Sequence, residues 1–400
     1  MPKPAFELAG IFRQYGPAYR ASHRVTYDQD RVIDAVVNCR TAALGGHIEE
    51  CDQCPYTRIS YNSCRNRHCP KCQSLARAKW VEAREAELLP VEYFHVVFTI
   101  PEQLARIAYY NRKVVYNILF KATAETLATI ARDPRHLGAE IGFFAVLHTW
   151  GQNLLHHPHL HCVVPGGGLS PDGERWVSCK PGFFLPVRVL SQLFRRLFLE
   201  QLMTAFRKGK LRFPGELKQL SKQACFARYL APLREAEWVV YAKAPFGGPN
   251  QVLAYLGRYT HRVALSNQRL LEVKDGEVTF QWKDYRATGR EKSRAMTLAS
   301  DEFIRRFLIH VLPRGFQRIR FFGTLSNRNR KARLAQCRRL LTAPLPDLLP
   351  NPDDYHPWRK PVTEESARCC PRCGKGRMVR VLVLLPHQTT VPGWPRPDSS

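Results

Sequence analysis

The apolar positions of the chain follow two spacings, and the change from one spacing to the other divides the sequence into predicted elements. Apolar residues three and four apart predict helices over residues 28–44, 75–89, 102–130 and 186–230, the last interrupted near Pro214. Runs of β-branched and aromatic residues predict strands over residues 93–100, 141–149, 159–164 and 237–243. A strand, a helix and two further strands follow one another, which is the order of an α+β fold.

Weaker signals mark the second half of the chain. Pro249 opens a helical pattern that continues to Thr260. Residues 262–284 alternate about Asp275-Gly276, a favourable turn dipeptide, and predict a hairpin. A helix is expected over residues 301–312, and residues 343–361 are Pro-rich and read as a linker.

Composition indicates a globular protein with an anionic partner. The 400 residues are 44% hydrophobic, enough for a sizeable core in two or three domains. Lys and Arg number 61 against 34 Asp and Glu, a formal charge of +27 that would repel itself without a polyanion nearby. Nucleic acid is the expected partner, and a merely basic enzyme is the alternative.

The charge is concentrated in one stretch, residues 305–339, with ten Arg, one Lys and no Asp or Glu. Phe307, Phe316, Phe321 and Phe322 are interleaved with these charges. Rings among cations suit single-stranded nucleic acid, on which bases stack, but the same rings could belong to the core.

Targeting signals are not evident in the sequence. The N-terminus has no apolar core like that of a signal peptide, and no run of eighteen apolar residues occurs. We therefore expect a cytoplasmic protein without a membrane partner. In a reducing compartment, thirteen clustered cysteines favour metal binding over disulfides.

Two Cys-x2-Cys turns predict a structural zinc site. Cys51 with Cys54 and Cys69 with Cys72 are separated by fourteen residues, and four thiolates complete a tetrahedron with no open position. Other residues nearby could replace a ligand or hold a second ion: Cys39, His47, Cys64 and His68. A third turn, Cys370 with Cys373, is half a zinc ribbon that Cys369, His356 or His387 could complete.

Basic residues surround the first two turns. Arg65, Arg67 and Lys71 lie in or beside them, with little opposing charge, and are expected to contact DNA phosphates. A solvated basic face is the alternative reading.

A dense group of histidines suggests a second kind of metal site. His159 and His161 flank one apolar residue, so both imidazoles point to the same face of a strand. If this strand pairs antiparallel with residues 141–149, His148 can approach both. A third imidazole is the better ligand for a transition ion, whereas Gln152 would suit a hard ion such as Mg²⁺, and both remain candidates.

Tyr255 and Tyr259 are four residues apart, so a helix would present both phenols on one face. Two amphipathic core tyrosines would have the same spacing. The tyrosine pair becomes informative when it is considered together with the histidines and the cysteine turns.

The combination of motifs resembles the two-tyrosine rolling-circle transposases of the bacterial insertion-sequence-ninety-one family. The resemblance rests on His148, the pair His159 and His161, the Tyr255–Tyr259 segment and the upstream cysteines, and it extends from the zinc module to about Arg339. Residues 61–72, 94–101 and 159–168 are similar to blocks of that family.

The resemblance implies a fold in which a palm-like antiparallel sheet is flanked by helices, preceded by a small zinc-binding module and followed by a basic helical region. On this basis the expected domains are residues 1–89 for the zinc module, 90–312 for the catalytic domain, 313–342 for a basic extension and 343–400 for a linker and cysteine tail.

The resemblance also implies an endonuclease and strand transferase acting on single-stranded DNA. Mg²⁺ or Mn²⁺ held by His148, His159 and His161 would activate the scissile phosphate for Tyr259 or Tyr255, with Arg258 and Arg262 contacting DNA. The product would be a 5′-phosphotyrosine and a free 3′-hydroxyl. No Gly-x4-Gly-Lys-Ser/Thr loop occurs, so a host helicase or replication proteins would unwind the DNA.

Three alternatives remain from the sequence. A replication initiator or relaxase would use the same chemistry. A zinc-containing regulator would bind nucleic acid without catalysis. A zinc hydrolase for small substrates is disfavoured by the charge of +27.

Overall fold

The computed structural model describes residues 4–72, 80–84, 87–243, 264–284, 293–341 and 369–387. The chain divides into two compact units. The first comprises residues 1–78, 261–311 and 349–400, and the second comprises residues 79–260 and 312–348.

This division differs from the four consecutive segments expected from the sequence. Residues 261–311 belong to the same unit as the N-terminal residues, and one contact shows why: the rings of Phe12 and Phe307 meet edge to face, with centroids 5.5 Å apart. Both side chains are fully buried. The apolar faces of the elements that carry them therefore complete one core.

The helices of the described residues are named in chain order. They are α1 (Leu8–Ser22), α2 (Tyr27–Val37), α3 (Ala105–Tyr110), α4 (Arg112–Arg132), α5 (Val187–Arg207), α6 (Gln223–Glu235), α7 (Ser300–Leu308) and α8 (Arg330–Leu340). None of the helices in this part of the chain is long and apolar enough to cross a membrane.

The strands are named in the same way. They are β1 (Gly46–Cys51), β2 (Thr57–Tyr61), β3 (Tyr93–Thr99), β4 (Gly142–Trp150), β5 (His156–Pro165), β6 (Gly167–Leu169), β7 (Trp176–Ser178), β8 (Val240–Lys243), β9 (Leu270–Lys274), β10 (Glu277–Lys283), β11 (Ser293–Ala299), β12 (Ile319–Gly323) and β13 (Met378–Leu384).

The second unit is built on a five-stranded antiparallel sheet with the strand order β12-β4-β5-β3-β8. The predicted α+β fold with an antiparallel sheet and flanking helices is confirmed. The expected basic helical region contains α8, and ahead of this helix it also contributes β12, which pairs with β4 as an edge strand of this sheet.

The two faces of this sheet differ in chemistry because side chains alternate along each strand. Phe98, Leu147 and Leu160 point to the face covered by α4 and α5, where Phe98 meets Phe194 with ring centroids 5.0 Å apart. This side forms the main apolar core. The opposite face carries a smaller apolar cluster and the histidines.

Among its described residues, the first unit contains two small sheets. One has the order β13-β1-β2 and the other β11-β10-β9. The predicted hairpin about Asp275-Gly276 is confirmed: both residues have positive φ, 50° and 80°, as the turn requires. Strand β13 was not predicted, since residues 343–400 read as a linker and a cysteine tail.

Candidate metal centres

Three imidazoles converge on the face of the five-stranded sheet opposite the main apolar core. The register of β4 and β5 places His148 directly opposite His159, and His161 follows two residues along on the same face. One nitrogen of each ring lies within 4.8 Å of one nitrogen of the other two. The strand pairing expected from the sequence therefore brings all three rings together.

Hydrogen bonds fix the orientation of two of these rings. His159 Nδ1 lies 2.7 Å from the carbonyl oxygen of His157, and since a carbonyl only accepts, Nδ1 carries the proton. His161 Nδ1 lies 2.8 Å from Nε2 of His95 on β3. The Nε2 atoms of His159 and His161 then face each other at 3.1 Å.

The donor set fits a divalent ion. Two nitrogens 3.1 Å apart are within the span of two metal–nitrogen bonds of ~2.1 Å. Metal-binding histidines usually donate their other ring N–H to an acceptor, and His159 does so. Burial lowers the pKa of His159 to about 4, so its imidazole is neutral at neutral pH, the form that binds metals.

His95 was missed by the sequence reasoning. It is buried at the centre of β3, diagonal to His161 across the β3–β5 pair, and their rings are stacked with centroids 5.0 Å apart. Burial lowers its pKa to about 4. An imidazole within an otherwise apolar predicted strand was the available signal.

The third ligand remains open between two candidates. The ring of His148 is buried, stacks on Trp150 at 4.6 Å between centroids and lies 4.5 Å from the ring of His161. Gln152 lies in the turn between β4 and β5. Geometry favours His148, which belongs to the cluster itself.

Four residues predicted to act at this site fall outside the described residues: Tyr255, Tyr259, Arg258 and Arg262. Their roles remain predictions.

The cysteines form two clusters, and the predicted grouping of Cys51, Cys54, Cys69 and Cys72 around one ion is wrong. Cys69 and Cys72 join Cys39 and Cys64, whereas Cys51 and Cys54 join the distant Cys370 and Cys373. The sulfur of Cys72 is 3.4 Å from that of Cys39 and 3.5 Å from that of Cys64. The loop after β2 returns to the end of α2, while the β1–β2 turn meets the turn before β13.

Other candidates named for these sites do not join either cluster. His47 lies 3.2 Å from Glu49, and neither it nor His68 belongs to a cluster of the described residues. Cys369 and His387 are likewise outside both, and His356 is not among the described residues.

The basic residues of the zinc module differ in exposure. Arg65 is exposed, whereas burial lowers the pKa of Arg67 and indicates a guanidinium partly withdrawn from solvent. Lys71 forms a 2.6 Å ion pair with Glu7. Of the three, Arg65 is best placed to contact a phosphate, and the DNA-binding role of all three remains a prediction.

The four phenylalanines of the basic stretch are packing residues. Phe307 and Phe316 are buried, while Phe321 and Phe322 pack against apolar clusters. The guanidinium of Arg320 lies 5.1 Å from the ring centroid of Phe316, and that of Arg330 lies 4.6 Å from the centroid of Phe321. Phe307 and Phe316 are therefore core residues, whereas Phe321 and Phe322 are only partly buried.

Two family models match the chain. Residues 142–333 match a family described as "Putative transposase", and residues 11–100 match one described as "Transposase zinc-binding domain". The first match contains the three histidines, and the second contains the whole cluster of Cys39, Cys64, Cys69 and Cys72.

Two curated proteins are similar over most of their length. A protein of Sinorhizobium fredii (strain NBRC 101917 / NGR234), "Putative transposase y4qJ", is 63% identical over 96% of this chain and 97% of its own. The "Transposase for insertion sequence element IS801" of Pseudomonas savastanoi pv. phaseolicola is 27% identical over 74% of this chain and 70% of its own.

No solved structure is a significant match. The zinc-binding domain and the cysteine clusters support structural zinc. The two family models and the extensive identity to these relatives show that the chain belongs to the insertion-sequence-ninety-one family of transposases.

Proposed function

We propose that this transposase nicks and rejoins single-stranded DNA at the ends of its element, with Tyr259 as the first nucleophile and Tyr255 as the second. The observation that most supports the proposal is the convergence of His148, His159 and His161 on one face of the sheet. Such a site suits phosphoryl transfer, because three protein ligands leave positions open for a substrate.

The proposed reaction exchanges one phosphodiester for another. The phenolic oxygen of Tyr259 attacks the scissile phosphorus in line, and the bond from phosphorus to the 3′-oxygen breaks. The phenol loses its proton, the leaving 3′-oxygen takes one up, and a 5′-phosphotyrosine remains. Because the number of phosphoester bonds is conserved, the strand can be rejoined without ATP.

A tyrosine with an ordinary pKa near 10 is a weak nucleophile at neutral pH, so the phosphate must be activated. Mg²⁺ or Mn²⁺ held by the three imidazoles would supply this by binding non-bridging oxygens and stabilising developing negative charge. His157 and His95 hold two of these rings in place through their hydrogen bonds.

Two tyrosines permit two transfers in sequence. A second phenol can attack while the first covalent link persists, as moving a strand from donor to target requires. This order is that of rolling-circle transposition. Strand separation would be left to a host helicase or other replication proteins.

The test is a nicking assay with an oligonucleotide carrying the element's end, offered single-stranded and as a duplex. We expect the single-stranded oligonucleotide to be cleaved and the duplex to remain intact. Cleavage should require Mg²⁺ or Mn²⁺ and should produce a protein–DNA adduct that survives denaturation. Tyr259→Phe should abolish the first cut, and the double variant with Tyr255→Phe should form no adduct.

Tyr241→Phe is the matched control, because this phenol is 48% exposed on β8 and has no proposed role. Cutting and adduct formation by the double tyrosine variant would refute the mechanism. A His159→Ala variant that retains its full biological effect would instead favour the non-catalytic regulator.

A further inference from the structure

The second cysteine cluster joins residues more than three hundred positions apart. Cys51 Sγ lies 3.7 Å from Cys373 Sγ, and Cys54 Sγ lies 3.7 Å from Cys370 Sγ. Four sulfurs around one zinc ion, with bonds of about 2.3 Å, are roughly 3.8 Å apart. A disulfide would need ~2.05 Å between sulfurs, and all four thiols are free.

Both turns have the backbone of a zinc-binding knuckle. The N–H of Gln53 points to Cys51 Sγ at 3.4 Å, and the N–H of Gly376 points to Cys373 Sγ at 3.3 Å. Such N–H groups stabilise a thiolate, the form of cysteine that binds zinc. Gly374, with φ of +67°, allows the second turn to close.

We propose that Cys51, Cys54, Cys370 and Cys373 bind a second structural zinc ion, which fastens β13 to the N-terminal sheet. Two of these ligands lie beyond residues 11–100, the range matched by the zinc-binding domain. The site is separate from the cluster of Cys39, Cys64, Cys69 and Cys72 and does not depend on the proposed nuclease chemistry.

The two turns interlock at the proposed ion. Asp52 accepts a hydrogen bond from the N–H of Arg377 at 2.8 Å, and its own N–H donates to the carbonyl of Arg377 at 3.1 Å. A Cβ on Gly376 would lie 2.3 Å from Cys51 Sγ, so only glycine permits this approach. From there β13 runs antiparallel to β1, from Cys51 opposite Met378 to Gly46 opposite Leu384.

β13 buries few apolar side chains, so hydrophobic contacts alone stabilise its position in the sheet only weakly. Val379, Val381 and Val383 are 50%, 43% and 62% exposed, and within the strand only Met378 and Leu384 are buried. A small sheet of this kind has little core, and in such modules metal binding supplies folding free energy. The zinc would therefore replace the hydrophobic contacts that the strand lacks.

Zinc stoichiometry of the full-length protein tests the site. An organomercurial that titrates thiols should release two zinc ions per chain. Cys370→Ser/Cys373→Ser should release one, and Cys69→Ser/Cys72→Ser should also release one. Cys369→Ser is the matched control, because this neighbouring thiol is exposed and outside the cluster, and it should release two.

Release of two zinc ions from Cys370→Ser/Cys373→Ser would overturn the proposal. So would a disulfide between the two turns in non-reducing peptide maps of freshly purified protein. In the same variant, hydrogen exchange should speed up at β13 while β4 and β5 keep their protection, which separates loss of the site from general unfolding.

A measurement on the wild-type chain avoids variants that fail to fold. Cys51, Cys54 and Cys373 are partly exposed, so without zinc they would react with an alkylating reagent. In the zinc-loaded protein, all four thiols should resist alkylation while Cys369 reacts, and chelation should remove the difference. Alkylation of the four at the rate of Cys369 before chelation would contradict the proposal.

Discussion

His95 Nε2 lies 2.8 Å from His161 Nδ1, so a buried imidazole on β3 holds one of the three converging rings of β4 and β5. At neutral pH, His95 has one acceptor nitrogen and can receive the N–H of His161, which leaves Nε2 of His161 directed at the cluster. His95 is in this view a positioning residue, acting through His161.

Removing the acceptor at position 95 should weaken metal binding. We expect His95→Leu to lower Mn²⁺ affinity about 10- to 100-fold, the usual cost of losing an outer partner of a metal-binding histidine. His95→Gln, which restores an acceptor oxygen, should recover part of this loss. Isothermal titration with Mn²⁺ measures both.

His136→Gln serves as control, since His136 is exposed in the turn that follows α4 and does not belong to the cluster. Equal affinities of the Leu and Gln variants would mean that His95 contributes packing only.

Comparison of His148→Ala with Gln152→Ala should identify the third ligand. Loss of a direct ligand should cost more than the roughly 10- to 100-fold expected for an outer partner, whereas Gln152→Ala should change the affinity little. The same Mn²⁺ titrations apply. The reverse ranking would assign the ligand to Gln152 and favour a hard ion.

Cys39→Ser should disrupt one cysteine cluster and leave the other intact. Cys39 is fully buried at the end of α2 and contacts Cys72, so its loss should remove one zinc ion and expose Cys64 and Cys72 to alkylation. Cys51 and Cys54 should stay protected. Labelling of Cys51 together with Cys72 would contradict two independent sites, and Cys225→Ser is the control.

His156 should make the stability of the second unit depend on pH. Its Nδ1 lies 3.1 Å from the carbonyl of Ala105, and its Nε2 lies 2.8 Å from the hydroxyl of Tyr116. Burial lowers the pKa of His156 to about 3, from an ordinary 6.5. Between these values the unfolded chain holds the extra proton, so the free energy of unfolding falls as pH falls.

His156→Gln should flatten this dependence by at most about 1.4 kcal/mol per pH unit. Urea unfolding of wild type and variant between these two pKa values gives the difference in their free energies of unfolding. Effects of pH on the cysteine sites are the same in both proteins and cancel in this difference. His136→Gln should behave like wild type. Identical pH dependence in all three proteins would rule out a buried neutral His156.

Much of this protein follows from local pattern. β3, β4 and β5 were predicted because β-branched, aromatic and other apolar residues dominate their sequences, and the hairpin was predicted because Asp275-Gly276 suits a tight turn. The shared face of His159 and His161 follows from the two-residue period of a strand.

Only the tertiary structure decided which distant residues meet. The Cys-x2-Cys turns are locally alike, so their pairing depends on sheet register: β13 lies against β1 and brings Cys370 and Cys373 to Cys51 and Cys54. His95 reaches His161 only because β3 neighbours β5. Local spacing sets the direction of each side chain, whereas its partners are chosen by chain closure and core packing across hundreds of residues, which no short stretch of sequence encodes.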